Sequence, residues 1–148
     1  DASLHSEWLD FYDKIDLIFT EDEATTQHTD NMRARMERLV RATQEHFCHE
    51  IQQLEGEAAS FQTDLWKRPA SRCGSASKHA GGLSKVLVNG EVFEKAGVSV
   101  SISSGKLPKR AVQQMTADHD GLQTLLNENK LGDKDGNVQY YAASVSSV

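Results

Sequence analysis

The chain of 148 residues contains only two cysteines, two prolines and 7% aromatics. Cys48 and Cys73 are too few for a disulfide scaffold, so a reducing compartment is the simpler reading. Two Pro and ten Gly exclude collagen-like and Pro-rich low-complexity classes. No run approaches the length of apolar residues that a membrane-spanning helix needs, so none is expected. Asp1-Ala2-Ser3-Leu4 shows neither a basic start nor an apolar core segment, so no signal peptide is visible. With 38% apolar and 26% charged residues, the chain is a little polar for a compact domain but is not disordered by composition. Its length fits one ordinary domain or a piece of a larger one.

The net charge of -6 is unevenly distributed. Residues 1–30 carry nine acids and one base, whereas residues 65–110 carry nine bases against only Glu91 and Glu94. A positive stretch inside an acidic chain fits an anionic ligand or partner, and fits equally a solvated basic face.

Residues 1–28 read as an acidic N-terminal extension. Trp8, Leu9, Phe11, Ile15, Leu17, Ile18 and Phe19 form a short amphipathic helix there, to dock in cis or on a partner; Thr20 to Gln27 is a polar linker. Thr29 or Asp30 can cap a long helix. Met32, Met36, Leu39, Val40, Thr43, Phe47, Ile51 and Leu54 recur at three- and four-residue spacing, which predicts a core-facing stripe. Gly56 is a natural stop. Residues 56–82 are expected to be mostly irregular. Ser84 to Val88 reads as a short strand and Asn89-Gly90 as a type I′ hairpin turn. Val92 to Ser103 is its return strand. Val98, Val100 and Ile102 alternate with Ser99, Ser101 and Ser103, so aliphatics line one face and hydroxyls the other. Gly97 hints at a bulge or a close backbone approach. Lys109 to about Asn129 has helical character, Asp135-Gly136 is a turn, and Val138 to Val148 a third strand. The chain stops on that strand without a turn residue or cap, from which a fragment is expected.

Several chemical motifs fail on inspection. Asp133, Asp135 and Asn137 space like calcium-loop ligands, but Val138 and Ser144 stand where Gly and Glu are required. His46, Cys48 and His49 crowd one helical segment without forming spaced pairs for zinc. Gly105-Lys106 lacks the earlier Gly and the following Ser/Thr of a phosphate loop. There is no G-x-S-x-G elbow and no dinucleotide fingerprint. The basic stretch offers only Trp66 and Phe93 for stacking, so a nucleic-acid partner is not expected.

Residues 29–148 resemble the N-terminal part of oxygen-dependent coproporphyrinogen III oxidases. Four segments occur in the family's order: Asp64-x-Trp66-x-Arg68; Gly81-Gly82-Leu83-Ser84-Lys85-Val86-Leu87; the twelve residues from Gly90 to Ser101; and Val145-Ser146-Ser147-Val148. The twelve-residue segment is the most specific. Pro69 to Ala80 departs from the pattern as an apparent insertion, which leaves open how that loop closes on substrate.

The resemblance implies an α+β fold, a broad antiparallel sheet flanked by helices, of which only the first part is present here. It implies assembly as a homodimer and oxidative decarboxylation of two propionates of coproporphyrinogen III to vinyls. Dioxygen is the implied oxidant, with neither a metal nor an organic cofactor. Ser146 matches a substrate-contacting position. Val86, Leu87, Val88, Asn89, Gly90, Glu91, Val92, Phe93, Glu94 and Lys95 match a dimer-interface segment. The family's general acid/base histidine and substrate-anchoring Asn-x-Arg lie beyond the last strand, so no catalytic residue is assigned in this chain and the isolated piece is expected to be inactive. A different expectation is a non-catalytic tetrapyrrole-binding or regulatory module sharing the sheet. Met32-Arg33-Ala34-Arg35 resembles plant and algal members and favours a plastid, with cytoplasm or mitochondrion as alternatives. These readings share one physical premise: the serine-faced strand walls a pocket for a polycarboxylate macrocycle. Hydroxyls buried dry against an apolar interior, with no cavity nearby, would contradict it.

Overall fold

The computed structural model describes residues 9–19, 32–56, 59–68, 77–117, 121, 124 and 133–148. In chain order these form α1 (residues 9–14), α2 (Met32–Glu55), β1 (Gln62–Arg68), β2 (Ser77–Val88), β3 (Lys95–Leu107), α3 (Lys109–Ala117) and β4 (Val138–Ser147). The four strands make one antiparallel sheet in the order β1-β2-β3-β4, which with its helices is the expected α+β arrangement. The chain divides into two compact units.

The first unit comprises residues 1–67, 81–102 and 143–148. Within it α2 covers one face of the sheet. Val98 and Val100 of β3 are fully buried, and Leu87 of β2 packs with Ala59 and Ala96 beside Ile51 and Phe61. The alternation in β3 is as expected: Ala96, Val98, Val100 and Ile102 are buried while Ser99 is half-exposed and Ser101 exposed. Period-two geometry sends successive side chains to opposite faces, and the aliphatic set selects the face under α2.

The helix itself is rotated relative to the expectation. Met32, Leu39, Phe47 and Leu54, predicted to face the core, are exposed. Val40 is buried and Ile51 lies against the Leu87 cluster. The buried face is instead Ala34, Glu37, Arg41, Gln44, Cys48 and Glu55. The reason lies in backbone groups that need partners. Gln44 Nε2 donates to the carbonyls of Leu83 and Val98, both at 2.7 Å, stitching the helix to two strands. Glu37 accepts the N–H groups of Ile18 (2.7 Å) and Phe19 (3.1 Å), and Arg41 donates to the Asp16 carbonyl. The small Ala34, Ala42 and Cys48 allow the close approach that these bonds require. Residues 16–19 therefore dock in cis on α2. Gly56 ends the helix at φ 73° as expected. The Thr29/Asp30 cap and the Thr20–Gln27 linker lie outside the described residues.

Three further expectations are corrected. Most of the described residues among 56–82 are strand rather than irregular: β1 is a full strand, and β2 starts at Ser77 rather than Ser84. β1 lies at the sheet edge and is exposed over most of its length, so it carries no alternating apolar pattern to read. Gly81-Gly82, which look like loop residues, are strand residues beneath other groups. A Cβ at Gly82 would meet the Val100 carbonyl oxygen and stand 2.5 Å from the Trp66 ring. The β2–β3 turn is not a two-residue type I′ turn. Of Asn89 and Gly90 only Asn89 has positive φ (58°), the strands are joined by residues 89–94, and Asn89 N–H donates to Glu94 O at 2.9 Å. Gly97 marks no bulge either. It exchanges both backbone hydrogen bonds with Val148, at 2.8 and 2.9 Å, as a regular antiparallel pair.

The second unit comprises residues 68–80 and 103–142. α3 buries Val112 and Thr116, while Met115 is exposed. Leu122, Leu125 and Leu126 lie outside the described residues. Asp135-Gly136 is a turn, with Gly136 at φ 75°.

Candidate functional site

The first candidate is the sheet face turned away from α2. Ser99 Oγ donates to Ser84 Oγ at 3.2 Å. This contact and the Asn89–Glu94 bond fit one antiparallel register of β2 against β3. On the other side, the Gly97–Val148 pair sets the β3–β4 register, which places Ser146 opposite Ser99 and Ser144 opposite Ser101. Directly opposed residues share a face. Ser84, Ser99, Ser101, Ser144 and Ser146 thus lie in two short rows across three strands, half-exposed or exposed. The hydroxyls are open rather than buried dry against the apolar interior. Trp66 overhangs the same face above Gly82. A serine hydroxyl both donates and accepts, so these rows can bind carboxylate oxygens or N–H groups. Ser84 and Ser144 were not among the site residues expected from the sequence. Their membership depends on strand register, which pairs residues distant along the chain.

The second candidate is the β2–β3 loop. Leu87 is fully buried in the chain's own core, whereas Val86 (42%), Val88 (40%), Val92 (60%) and Phe93 (38%) remain exposed. Glu55, the last residue of α2, is buried and reaches this loop. Its Oε2 accepts from Glu91 N–H (2.6 Å) and Val92 N–H (3.2 Å), and its Oε1 from Phe93 N–H (2.6 Å). Desolvation pushes the Glu55 carboxyl toward a higher pKa, but the three N–H donors outweigh it, and the net shift is downward. Gly90 is needed here because a Cβ would stand 2.5 Å from Glu55 Oε2 and from Phe93 O.

The basic stretch is partly neutralised. Lys85 pairs with Glu45 at 2.5 Å and Lys106 with Asp133 at 3.1 Å. Lys67, Arg68, Lys95, Lys109 and Arg110 are exposed. The Asp133 carboxylate accepts the backbone N–H groups of Asn137 and Asp135. The Asn137 N–H, then the Lys106 ammonium, hold its pKa down to about 2. That carboxylate closes a turn and pairs with the Lys106 ammonium. Among the described residues no group of three His, Cys, Asp or Glu could hold a metal. His46 and His49 lie against the Phe11 ring, with centroids 6.3 and 5.7 Å away, while burial pushes the Cys48 thiol up to about 11.

Fold and surface together define an α+β sheet protein with an open hydroxyl-bearing face and a fastened, apolar-tipped loop. The chain belongs to the coproporphyrinogen III oxidase family, whose model matches residues 35–148. It is 36% identical over 130 residues to the oxygen-dependent coproporphyrinogen-III oxidase of Drosophila melanogaster, covering 87% of this chain and 28% of that protein. It is 35% identical over 132 residues to coproporphyrinogen-III oxidase 1, chloroplastic, of Arabidopsis thaliana, with the same two coverages. Against the mitochondrial oxygen-dependent enzyme of Homo sapiens it is 37% identical over 118 residues, covering 80% of this chain and 22% of the relative. The chain thus spans between a fifth and a third of the length of these relatives.

Proposed function

We propose that the chain supplies the substrate-facing sheet and the pairing loop of an oxygen-dependent coproporphyrinogen III oxidase. In this reading two propionate side chains of coproporphyrinogen III each lose carbon dioxide, a proton and two electrons to become vinyls, and dioxygen takes the electrons. Neither a metal nor an organic cofactor is required. The observation that carries the reading is the pair of serine rows on the open face, centred on Ser99, Ser84 and Ser146. Hydroxyls at sheet spacing can bind carboxylates or pyrrole N–H groups of a macrocycle lying across the strands, and the exposed Lys67 and Lys95 of the same unit add a favourable field. Catalytic proton transfer needs a group within hydrogen-bond reach of the proton, and none is assigned in this chain. The 148-residue chain is therefore expected to bind substrate but not to turn it over. A plastid is the reading favoured by Met32-Arg33-Ala34-Arg35, with mitochondrion or cytoplasm as the alternatives; relatives named chloroplastic and mitochondrial support an organelle.

The same reading makes Val86–Lys95 the contact between two copies. Its exposed residues are self-complementary: apolar Val92 and Phe93 lie between Glu91 and Glu94, with Lys95 adjacent. A two-fold contact sets a patch against its own copy, so Lys95 of one copy can meet an acid of the other.

The test is to add coproporphyrinogen III anaerobically to the purified chain and to its Ser99→Ala/Ser146→Ala variant, then admit oxygen. Binding to the parent, weakened in the variant and without oxygen uptake, is expected. Substrate-dependent oxygen uptake by the chain alone, or binding indifferent to both serines, overturns the reading.

A further inference from the structure

The Glu55 clamp is unusual in its arrangement. Three consecutive backbone N–H groups, those of Glu91, Val92 and Phe93, all donate to one side-chain carboxylate. In a strand, successive N–H groups point alternately to opposite neighbours. Turning all three inward takes these residues out of the ladder, and β3 begins only at Lys95. The carboxylate comes from the last residue of α2, which Gly56 terminates, so its position is set by the helix docked on the sheet. Gly90 leaves the space into which the carboxylate fits. With the backbone turned inward, Val92 and Phe93 stay exposed although the core cluster of Leu87, Ala59 and Ala96 lies close along the chain.

We propose that Glu55 is the positioning residue of the pairing loop: by gathering the N–H groups of residues 91–93 it holds Val92 and Phe93 outward for a second copy of this chain. The inference rests on the reading that Val86–Lys95 joins two copies. A second copy is the occupant because the loop carries its own charge complement in Glu91, Glu94 and Lys95, all exposed. A loop already held in its binding form does not lose conformational freedom on association, so the clamp strengthens pairing without touching the partner. Charge-assisted bonds to a carboxylate are stronger than neutral ones, and the clamp is intact at neutral pH. It weakens on acidification, as pH falls through the depressed Glu55 pKa.

The experiment compares the parent chain with E55A, E55Q and F93D at neutral pH. Amide hydrogen exchange reads the loop and sedimentation velocity reads self-association. In E55A the amides of residues 91–93 should exchange at least about tenfold faster, the effect of losing even one charge-assisted hydrogen bond. Those of Val98 and Val100 should keep the parent rate, which reports an intact sheet. E55Q, with one amide oxygen as acceptor, should fall between parent and E55A, a graded rescue that simple loss of packing would not produce. It carries the test if E55A does not fold. Self-association should weaken in the order E55Q, then E55A, with F93D weakened as well. Unchanged loop exchange in E55A and E55Q overturns the proposal. Faster exchange with parent-like self-association, while F93D pairs poorly, overturns it too, leaving the pairing reading intact. If F93D pairs like the parent, the pairing reading itself fails and the proposal falls with it.

Discussion

The rotation of α2 is open to a direct energetic test, because the two orientations of the helix predict different relative costs for two substitutions. Leu87 is fully buried among Ala59, Ala96, Ile51 and Phe61. Leu87→Ala should cost about 3 kcal/mol, from lost burial and the cavity left behind. Phe47 is 46% exposed. Were it a core residue, Phe47→Ala would cost about 3–5 kcal/mol. With only half of its surface buried, the loss is about 1 kcal/mol, and the higher helix propensity of Ala returns about 0.5 kcal/mol. With a urea slope of about 2 kcal/mol per molar, Leu87→Ala should lower the unfolding midpoint by about 1.5 M and Phe47→Ala by about 0.3 M. Equilibrium urea unfolding of the 148-residue chain, followed by far-UV circular dichroism, measures both. Equal midpoint shifts would mean that α2 presents its Met/Phe stripe to the sheet, and the burial pattern described above would be wrong.

Other substitutions and conditions check separate parts of the structure. Gly82→Ala forces a methyl against the Trp66 ring and the Val100 carbonyl, so it should destabilise by about 1–3 kcal/mol and change the Trp fluorescence, with an unchanged midpoint and spectrum as the contrary result. The Asp133 turn contributes stability above the ordinary carboxyl pKa of 3.8 and loses it as pH falls toward about 2. Amide exchange of Asn137, corrected for the intrinsic rate, should lose protection across that window, and protection surviving at pH 2 would exclude the carboxylate as the fastener. Burial holds the Cys48 thiol protonated to about pH 11. Native Cys48 should therefore react with iodoacetamide at pH 8 far more slowly than in urea-unfolded protein, as peptide mapping of the alkylated residue would show. Because its folded pKa lies above the unfolded 9.0, its contribution to stability is complete below pH 9 and is lost as pH rises toward 11.

What could be read directly from the chain was local and periodic. The alternation of Val98, Val100 and Ile102 with serines could fold only as a strand with one dry and one wet face, because the side-chain repeat of a strand is two. Gly56 and Asp135-Gly136 mark a stop and a turn because their backbone geometry suits glycine. The segment from Gly90 to Ser101 carried the family resemblance by its sequence. What needed the folded chain was every decision made by a distant partner. Met32, Leu39, Phe47 and Leu54 repeat at helical spacing, yet α2 turns Gln44, Glu37 and Glu55 inward, since the Leu83 and Val98 carbonyls and the amides of residues 18–19 and 91–93 are where those side chains find hydrogen bonds. Asn89-Gly90 has the composition of a two-residue turn, but a carboxylate 36 residues earlier pulls the next three amides aside and lengthens it. Ser84, Ser144 and Ser146 join Ser99 and Ser101 only through strand register. Hydrophobic spacing records which residues could be buried; the hydrogen-bonding needs of the backbone settled which of them were.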